Sequence, residues 1–186
     1  MSNFVDKNII CCVKMDGENT TAAKNYIHAR SLDYAHHPSR DRVRALHGKI
    51  AHEIPEGWRL SIENLYAKHS IHYKNLKDYN YLFGIWNEKN TLISWDETKE
   101  WAELLDLTMC PILYQGKWDE KLIKKLYKPI HDGDECEGFV VRIRGEIQYR
   151  DFRKYVGKYV RKNHVNSETH WKVNKFIPNE LSNGAI

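Results

Sequence analysis

No stretch of this sequence is apolar for long enough to cross a bilayer as a helix, which takes about 20 residues. The N-terminal run MSNFVDKNIICCVKMDG has a short apolar patch but lacks a basic start and a small-residue cleavage site, so no secretory leader is expected. Cysteine is scarce. Four in 186 residues, two of them adjacent at Cys11 and Cys12, do not make a disulfide framework. A reducing cytosol, and so a cytoplasmic location, is the expectation. Histidine is plentiful at ten, yet no Cys or His pair has a second pair behind it at structural-zinc spacing, and zinc is not expected. Repeats, low-complexity tracts and Pro/Gly/Ser linkers are missing too, which favours one domain. The net charge is only +4, too small by itself to demand a polyanionic partner.

What is present is a globular balance, with 41% hydrophobic and 29% charged residues. The basic residues are unevenly placed. Residues 142–162 hold Arg142, Arg144, Arg150, Arg153, Lys154, Lys158, Arg161 and Lys162, interleaved with Tyr149, Phe152, Tyr155 and Tyr159. Cationic and aromatic side chains mixed in this way suit phosphates and stacked bases, and a solvated positive face is the competing reading.

Residues 8–14 read as a strand, broken at Asp16-Gly17, with residues 20–29 as the returning strand of a hairpin. Val43, Leu46, His47 and Ile50 recur at helical spacing, predicting a helix over 39–54 capped by Ser39 and ended by Pro55. Residues 58–66 and 79–86 are strand-like. Ser94 and Glu97 fit a capping box opening a helix to about 107. A short strand over 111–114, a helix over 119–127 burying Leu122, Ile123 and Leu126, and a strand over 137–144 follow. Without a regular βαβ rhythm, the class is α+β on antiparallel sheets.

The most specific local pattern is Lys14-Met15-Asp16-Gly17-Glu18-Asn19. A lysine that closes an apolar strand can be kept from bulk water, and a desolvated amine is a usable nucleophile towards phosphorus. A surface lysine before an Asp-Gly turn is the ordinary alternative.

Lys-x-Asp-Gly resembles the nucleophile motif of the covalent nucleotidyltransferases: DNA ligases, RNA ligases and mRNA capping enzymes. The further motifs of that superfamily follow in order. Arg30-Ser31 is similar to the element that contacts the nucleotide sugar or phosphate. Ile62-Glu63-Asn64-Leu65-Tyr66 resembles the motif whose glutamate binds ribose, with Ile62 in place of the usual Gly. Phe83 matches the aromatic stacked on the purine. Glu137-Gly138-Phe139-Val140-Val141-Arg142 is similar to the motif whose glutamate works with the metal, and Lys158 to the lysine on the α-phosphate. Longer runs, Lys14 to Thr21, Glu63 to Ile71, Ser94 to Thr98, and Lys158 to Val165 with His170-Trp171, resemble the RNA ligase 2-like branch.

That resemblance implies an ATP-grasp-like adenylyltransferase domain of antiparallel sheets flanked by helices, acting as an ATP-dependent RNA ligase. Lys14 would carry AMP, pass it to an RNA 5′-phosphate, and allow a 3′-OH to displace it. Val13, Arg30, Glu63, Phe83, Glu137, Lys158 and Lys162 would contact the nucleotide. Asn19, Arg161 and His164 would contact RNA. Glu137, with Asp16, would hold Mg2+ or Mn2+ beside ATP. Two departures stand out. Val13 occupies a position that is often Glu, so an adenine contact there uses the backbone or is absent. Val160 replaces the second lysine of the last motif, and Lys162 lies two further on, on the same side of an extended strand as Lys158. The motifs span 14–162, and 1–186 is expected to form a single adenylyltransferase domain with 163–186 as a C-terminal extension. The appended oligonucleotide-binding domain of DNA ligases and capping enzymes is not expected within these 186 residues, which suit either a small ligase or a fragment. The expected partners are RNA ends, with no membrane partner and no protein partner inferable. A GTP-using capping-type guanylyltransferase and a non-catalytic RNA-binding module are the alternatives.

Overall fold

The computed structural model describes residues 2–30, 37–161 and 176–183. In chain order, β1 is Asn8–Lys14, β2 Glu18–Ala23 and β3 Tyr26–Ala29, followed by helix α1, Asp41–Ile50. Next come β4 (Arg59–Asn64), β5 (Asn80–Trp86), β6 (Thr91–Leu92) and helix α2 (Trp95–Leu104). The remainder is β7 (Ile112–Lys117), α3 (Glu120–Lys125), β8 (Ile130–His131), β9 (Asp134–Glu135), β10 (Gly138–Ile143), β11 (Ile147–Gln148), α4 (Phe152–Tyr155) and β12 (Val156–Val160). No described helix is long and apolar enough to cross a membrane.

Two antiparallel sheets dominate. The first has the order β12-β10-β1-β7 and the second β11-β6-β5-β4-β2-β3. β1 is buried from Ile9 to Val13 because it is a central strand covered on both faces, which explains its unbroken apolar run. Alternation along it sorts the layers. Ile10, Cys12 and Val13 join Leu65, Tyr81 and Trp95 in a core between the sheets. Ile9 and Cys11 face the other way, with Phe139, Val141, Phe4 and Ile123 of α3. On the second sheet Leu60, Ile62 and Ile85 pack under Val43 and Ile50 of α1 and Ala102 of α2. The result is helix, sheet, sheet, helix, the α+β arrangement expected.

Several local expectations are corrected. Asp16-Gly17 does not turn a hairpin. β1 pairs with β7 and β10, whereas β2 pairs with β3 and β4, so the motif carries the chain from one sheet to the other. Residues 20–29 are two strands joined at Lys24-Asn25, a hairpin at the end of the sheet in which β2 pairs with both β3 and β4. Ser39 lies inside a 3-10 turn, Pro38–Arg40, whose cap is His37, and α1 starts behind Arg40 without a side-chain cap. The Ser94–Glu97 capping box is present, but α2 stops at Leu104 because Asp106 adopts φ 52°. Leu122 is exposed on α3, where only Ile123 is buried. A helix of this length presents one side to β1, and Leu122 falls off it.

Candidate active site

Lys14 ends β1 opposite Gly138 of β10, which sets Glu137 next to the amine. Lys14 Nζ lies 2.6 Å from Glu137 Oε2, and the carboxylate side is nearly sealed from solvent, at 6% exposure against 24% for the lysine. The glycine after Glu137 is needed for packing. A Cβ there would sit 1.9 Å from the Tyr159 carbonyl oxygen, so only glycine lets β12 lie this close to β10. β12 in turn sets Lys158 opposite Val140.

The crossover after Lys14 is pinned at Asp16 and Gly17. Asp16 N–H donates to the Tyr73 hydroxyl at 2.9 Å. The Asp16 carboxylate accepts from Ser70 N, Ser70 Oγ and Ile71 N at 2.9, 2.7 and 2.8 Å. Gly17 N–H donates to Glu63 Oε1 at 3.0 Å. A side chain at Gly17 would meet the Asn64 carbonyl oxygen at 2.5 Å. Burial pushes the Glu63 carboxyl up to about 7, an effect that Lys14 and the Gly17 amide oppose and that Glu137 and Asp16 reinforce.

A cavity of about 1030 Å³ opens over this floor, between the two sheets. Val13, Lys14, Asn19, Arg30, Glu63, Phe83 and Lys158 all line it, drawn from β1, β2, β4, β5, β12 and the end of β3. Val13, on the cavity wall, donates its N–H to the Pro111 carbonyl at 2.8 Å. Arg30 N–H holds Asn19 O at 2.9 Å, tying two lining residues together. Two expected residues are placed elsewhere. Asp16 turns its carboxylate into the 70–71 loop and is not on the cavity wall. Arg161 pairs with Glu135 at 2.6 Å, outside the cavity lining. Lys162 and His164, with His170 and Trp171, lie outside the described residues.

The basic segment divides once folded. Arg142 is buried, donates to the Ile93 carbonyl at 2.7 Å, and burial lowers it to about 10. Arg144 pairs with Asp96 at 2.7 Å. Neither is free surface charge, and Arg142 lines the cavity together with Lys158 and Arg153. Sequence reasoning missed Cys12, Cys110 and Trp95 as lining residues, whereas Arg153 belongs to the basic segment it singled out. No local pattern marks the missed residues, because they meet only through sheet pairing. Cys12 and Cys110 are neutral thiols: burial pushes the first up to about 12 and the second well above its usual range.

These features define a class: two facing antiparallel sheets with a lysine–glutamate pair under an interlayer cleft, the nucleotidyltransferase-type arrangement. A family model described as RNA ligase matches residues 7–160, most of the chain. The chain belongs to the RNA ligase family. No curated protein sequence matches it. Among solved structures it is similar to Naegleria gruberi RNA ligase. A ligand-free variant is 15% identical with a TM-score of 0.60, covering 86% of this chain and 50% of that one. A variant with ATP and Mn is 16% identical with a TM-score of 0.58, covering 82% and 52%. The form with PPi is 17% identical with a TM-score of 0.57, covering 82% and 52%. At these identities the likeness is one of fold, and the chain spans about half the length of those proteins.

Proposed function

We propose that this chain is the adenylyltransferase part of an ATP-dependent RNA ligase, with Lys14 as the residue that carries AMP. The observation that carries the reading is the Lys14–Glu137 pair at 2.6 Å on the floor of a nucleotide-sized cavity that also presents Glu63, Phe83, Arg30 and Lys158. Lys14 Nζ attacks the α-phosphorus of ATP. A nitrogen–phosphorus bond forms, the bond from that phosphorus to the β-phosphate oxygen breaks, and pyrophosphate leaves. An ammonium has no lone pair, so a proton must first leave Lys14, and Glu137 is the carboxylate in contact with it. Phe83 offers a face for the base, Glu63 a ribose acceptor, and Arg30 and Lys158 positive charge for phosphates. AMP then passes to an RNA 5′-phosphate, and a 3′-OH displaces it. Positioning and charge neutralisation are the protein's main contributions to such transfers.

The donor set suits a hard cation that keeps most of its waters. Among the described residues no three His, Cys, Asp or Glu side chains converge, whereas Glu137 and Glu63 supply two mutually interacting carboxylates beside Lys14. Glu137, together with phosphate oxygens, would hold Mg2+ or Mn2+. Bound there, the ion would offset charge on the phosphates. The Naegleria structures with ATP and Mn support the same pairing of nucleotide and cation. Asn19 on the cavity wall supports the RNA ligase 2-like branch, since that branch's asparagine serves the RNA end. Residues 1–186 as one domain, with Lys162 and His164 adding contacts to phosphate and RNA, complete the proposal.

Incubation with α-labelled ATP, or in parallel GTP, followed by denaturing electrophoresis tests this reading. ATP should label the wild type, and Lys14→Ala and Lys14→Arg should not, because a guanidinium stays protonated. Labelling by GTP alone would favour the capping reading. RNA binding without any label would favour a non-catalytic module. Full labelling of a folded Lys14→Ala would refute the nucleophile.

A further inference from the structure

The loop that grips Asp16 is itself held from the far end of the chain. Residues 176–183 run along residues 65–77 through an almost continuous set of backbone bonds. Lys68 N donates to Ile177 O at 2.8 Å, Asn179 N to Tyr66 O at 2.9 Å, Glu180 N to Tyr73 O at 2.9 Å and Ser182 N to Leu76 O at 2.8 Å. In the middle lies Asn179, with only 2% of its surface exposed. Its Nδ2 donates to the Leu65 and Ala67 carbonyls at 2.7 and 3.2 Å, and its Oδ1 accepts from Tyr73 N at 2.9 Å. One amide thus uses both donors and its acceptor on three backbone groups of a single loop, 106 to 114 residues away in sequence.

That loop has two functions in one span. It begins directly behind Glu63 and Asn64, and it ends on the buried Tyr73, whose hydroxyl takes the Asp16 N–H. Between these points Ser70 and Ile71 close on the Asp16 carboxylate. Asp16 stands two residues after Lys14, and its neighbour Gly17 donates to Glu63. A displacement of the loop therefore moves the backbone immediately behind the nucleophile, while β1 and the Lys14–Gly138 register stay in place.

We infer that Asn179 is a positioning residue for Lys14: it clamps the 65–73 loop so that Ser70, Ile71 and Tyr73 hold Asp16, and with it the amine, in line with the α-phosphorus. The inference rests on the adenylyltransferase reading for its kinetic consequence and on hydrogen bonds alone for its structural one. A transfer that depends on alignment loses rate when the nucleophile's backbone gains freedom, while nucleotide affinity is left to Phe83 and Lys158 on other strands.

The test uses the whole chain with Asn179→Ala and Asn179→Asp. The aspartate keeps an acceptor for Tyr73 N–H but removes both donors and faces two carbonyls. Hydrogen exchange in the nucleotide-free protein should speed up at least tenfold at residues 16–17 and 70–73, with β10 unchanged. That readout stands whether or not the protein labels with ATP. Single-turnover labelling with α-labelled ATP should then show the rate constant at saturation falling tenfold or more, with the ATP concentration for half-maximal rate within about twofold. Ile123→Ala, in the α3 core away from the cavity, supplies a destabilised control that keeps the wild-type rate constant in its folded fraction. Combining Asn179→Ala with Ser70→Ala should give less than the product of the single losses, because both act through Asp16. Unchanged exchange at residues 16–17 and 70–73 overturns the inference. So does a wild-type rate constant in the folded Asn179 variants, or a loss that only tracks melting temperature as in Ile123→Ala. A wild type that takes no label, beside Asn179 variants that exchange faster as expected, instead sinks the ligase reading and leaves the clamp standing.

Discussion

Glu63→Gln separates what Glu63 costs the fold from what it gives the site. Burial raises its carboxyl from about 4.5 in the unfolded chain to about 7 in the folded one, even with Lys14 and the Gly17 amide favouring the charged form. The folded state therefore binds more protons than the unfolded state between those values. The difference is fully in the fold's favour below about 4.5 and is lost as pH rises through 7, so stability falls across that window. At 1.36 kcal/mol per unit, the charged carboxylate costs at most about 3.4 kcal/mol at pH 8 relative to a neutral group. Glutamine is neutral throughout and keeps an oxygen for the Gly17 N–H. Urea unfolding of both proteins should show the variant more stable by about 1–3 kcal/mol at pH 8 and equal to wild type near pH 4.5. For a chain of this size each kcal/mol moves the melting point roughly 2–4 °C, so thermal melts resolve the same gap. The variant should at the same time label poorly with ATP, because an amide accepts ribose hydroxyls less well than a carboxylate. A gap of equal size at both pH values, or none at pH 8, would refute the argument, since only a titrating buried carboxyl makes the gap depend on pH.

Phe83→Ala should weaken ATP use by about one to two decades, the worth of roughly 1–3 kcal/mol of stacking. Unchanged melting beside that loss supports the base platform, and a large fall in melting would return Phe83 to the interlayer core it borders. Gly138→Ala should destabilise by roughly 1–3 kcal/mol or more by forcing β12 off β10, since the added carbon meets the Tyr159 carbonyl at 1.9 Å. Circular dichroism melts check it, and a wild-type melt would contradict the packing. Lys158→Ala should lose self-adenylylation, whereas Arg161→Ala should keep it, lose sealing of pre-adenylated RNA, and barely move stability, because its ion pair with the half-exposed Glu135 is worth about 0–1 kcal/mol. Normal sealing by Arg161→Ala would assign that side chain to surface charge.

Much of the fold was legible from residues alone wherever the controlling interaction is local or the environment is uniform. β1 shows as an apolar run, β4 and β5 as strand-like segments, and the start of α2 as a capping box whose two bonds close within four residues. The order of Lys14, Arg30, Glu63, Phe83, Glu137 and Lys158 along the chain marks a candidate site from residues alone. Misreadings fell where a distant partner overrides local preference. Asp16-Gly17 has the chemistry of a tight turn, but its backbone is claimed by Tyr73, Ser70 and Glu63, so it bridges sheets. Arg142 and Arg144 have the composition of a basic face, but the Ile93 carbonyl and Asp96 take them.

What the sequence by itself determined is the strands β1, β4, β5 and β10, the capping box of α2 and the identity of the reactive groups, because periodicity, β-branching and side-chain chemistry act over a few residues. Only the tertiary structure decided that Lys14 meets Glu137 across 123 residues, that Gly17 meets Glu63 across 46, and that Asn179 reaches Leu65 across 114. Those contacts depend on strand register and on which sheet each strand joins. They are set by closure of long loops and burial of whole faces, quantities that no short window of residues contains.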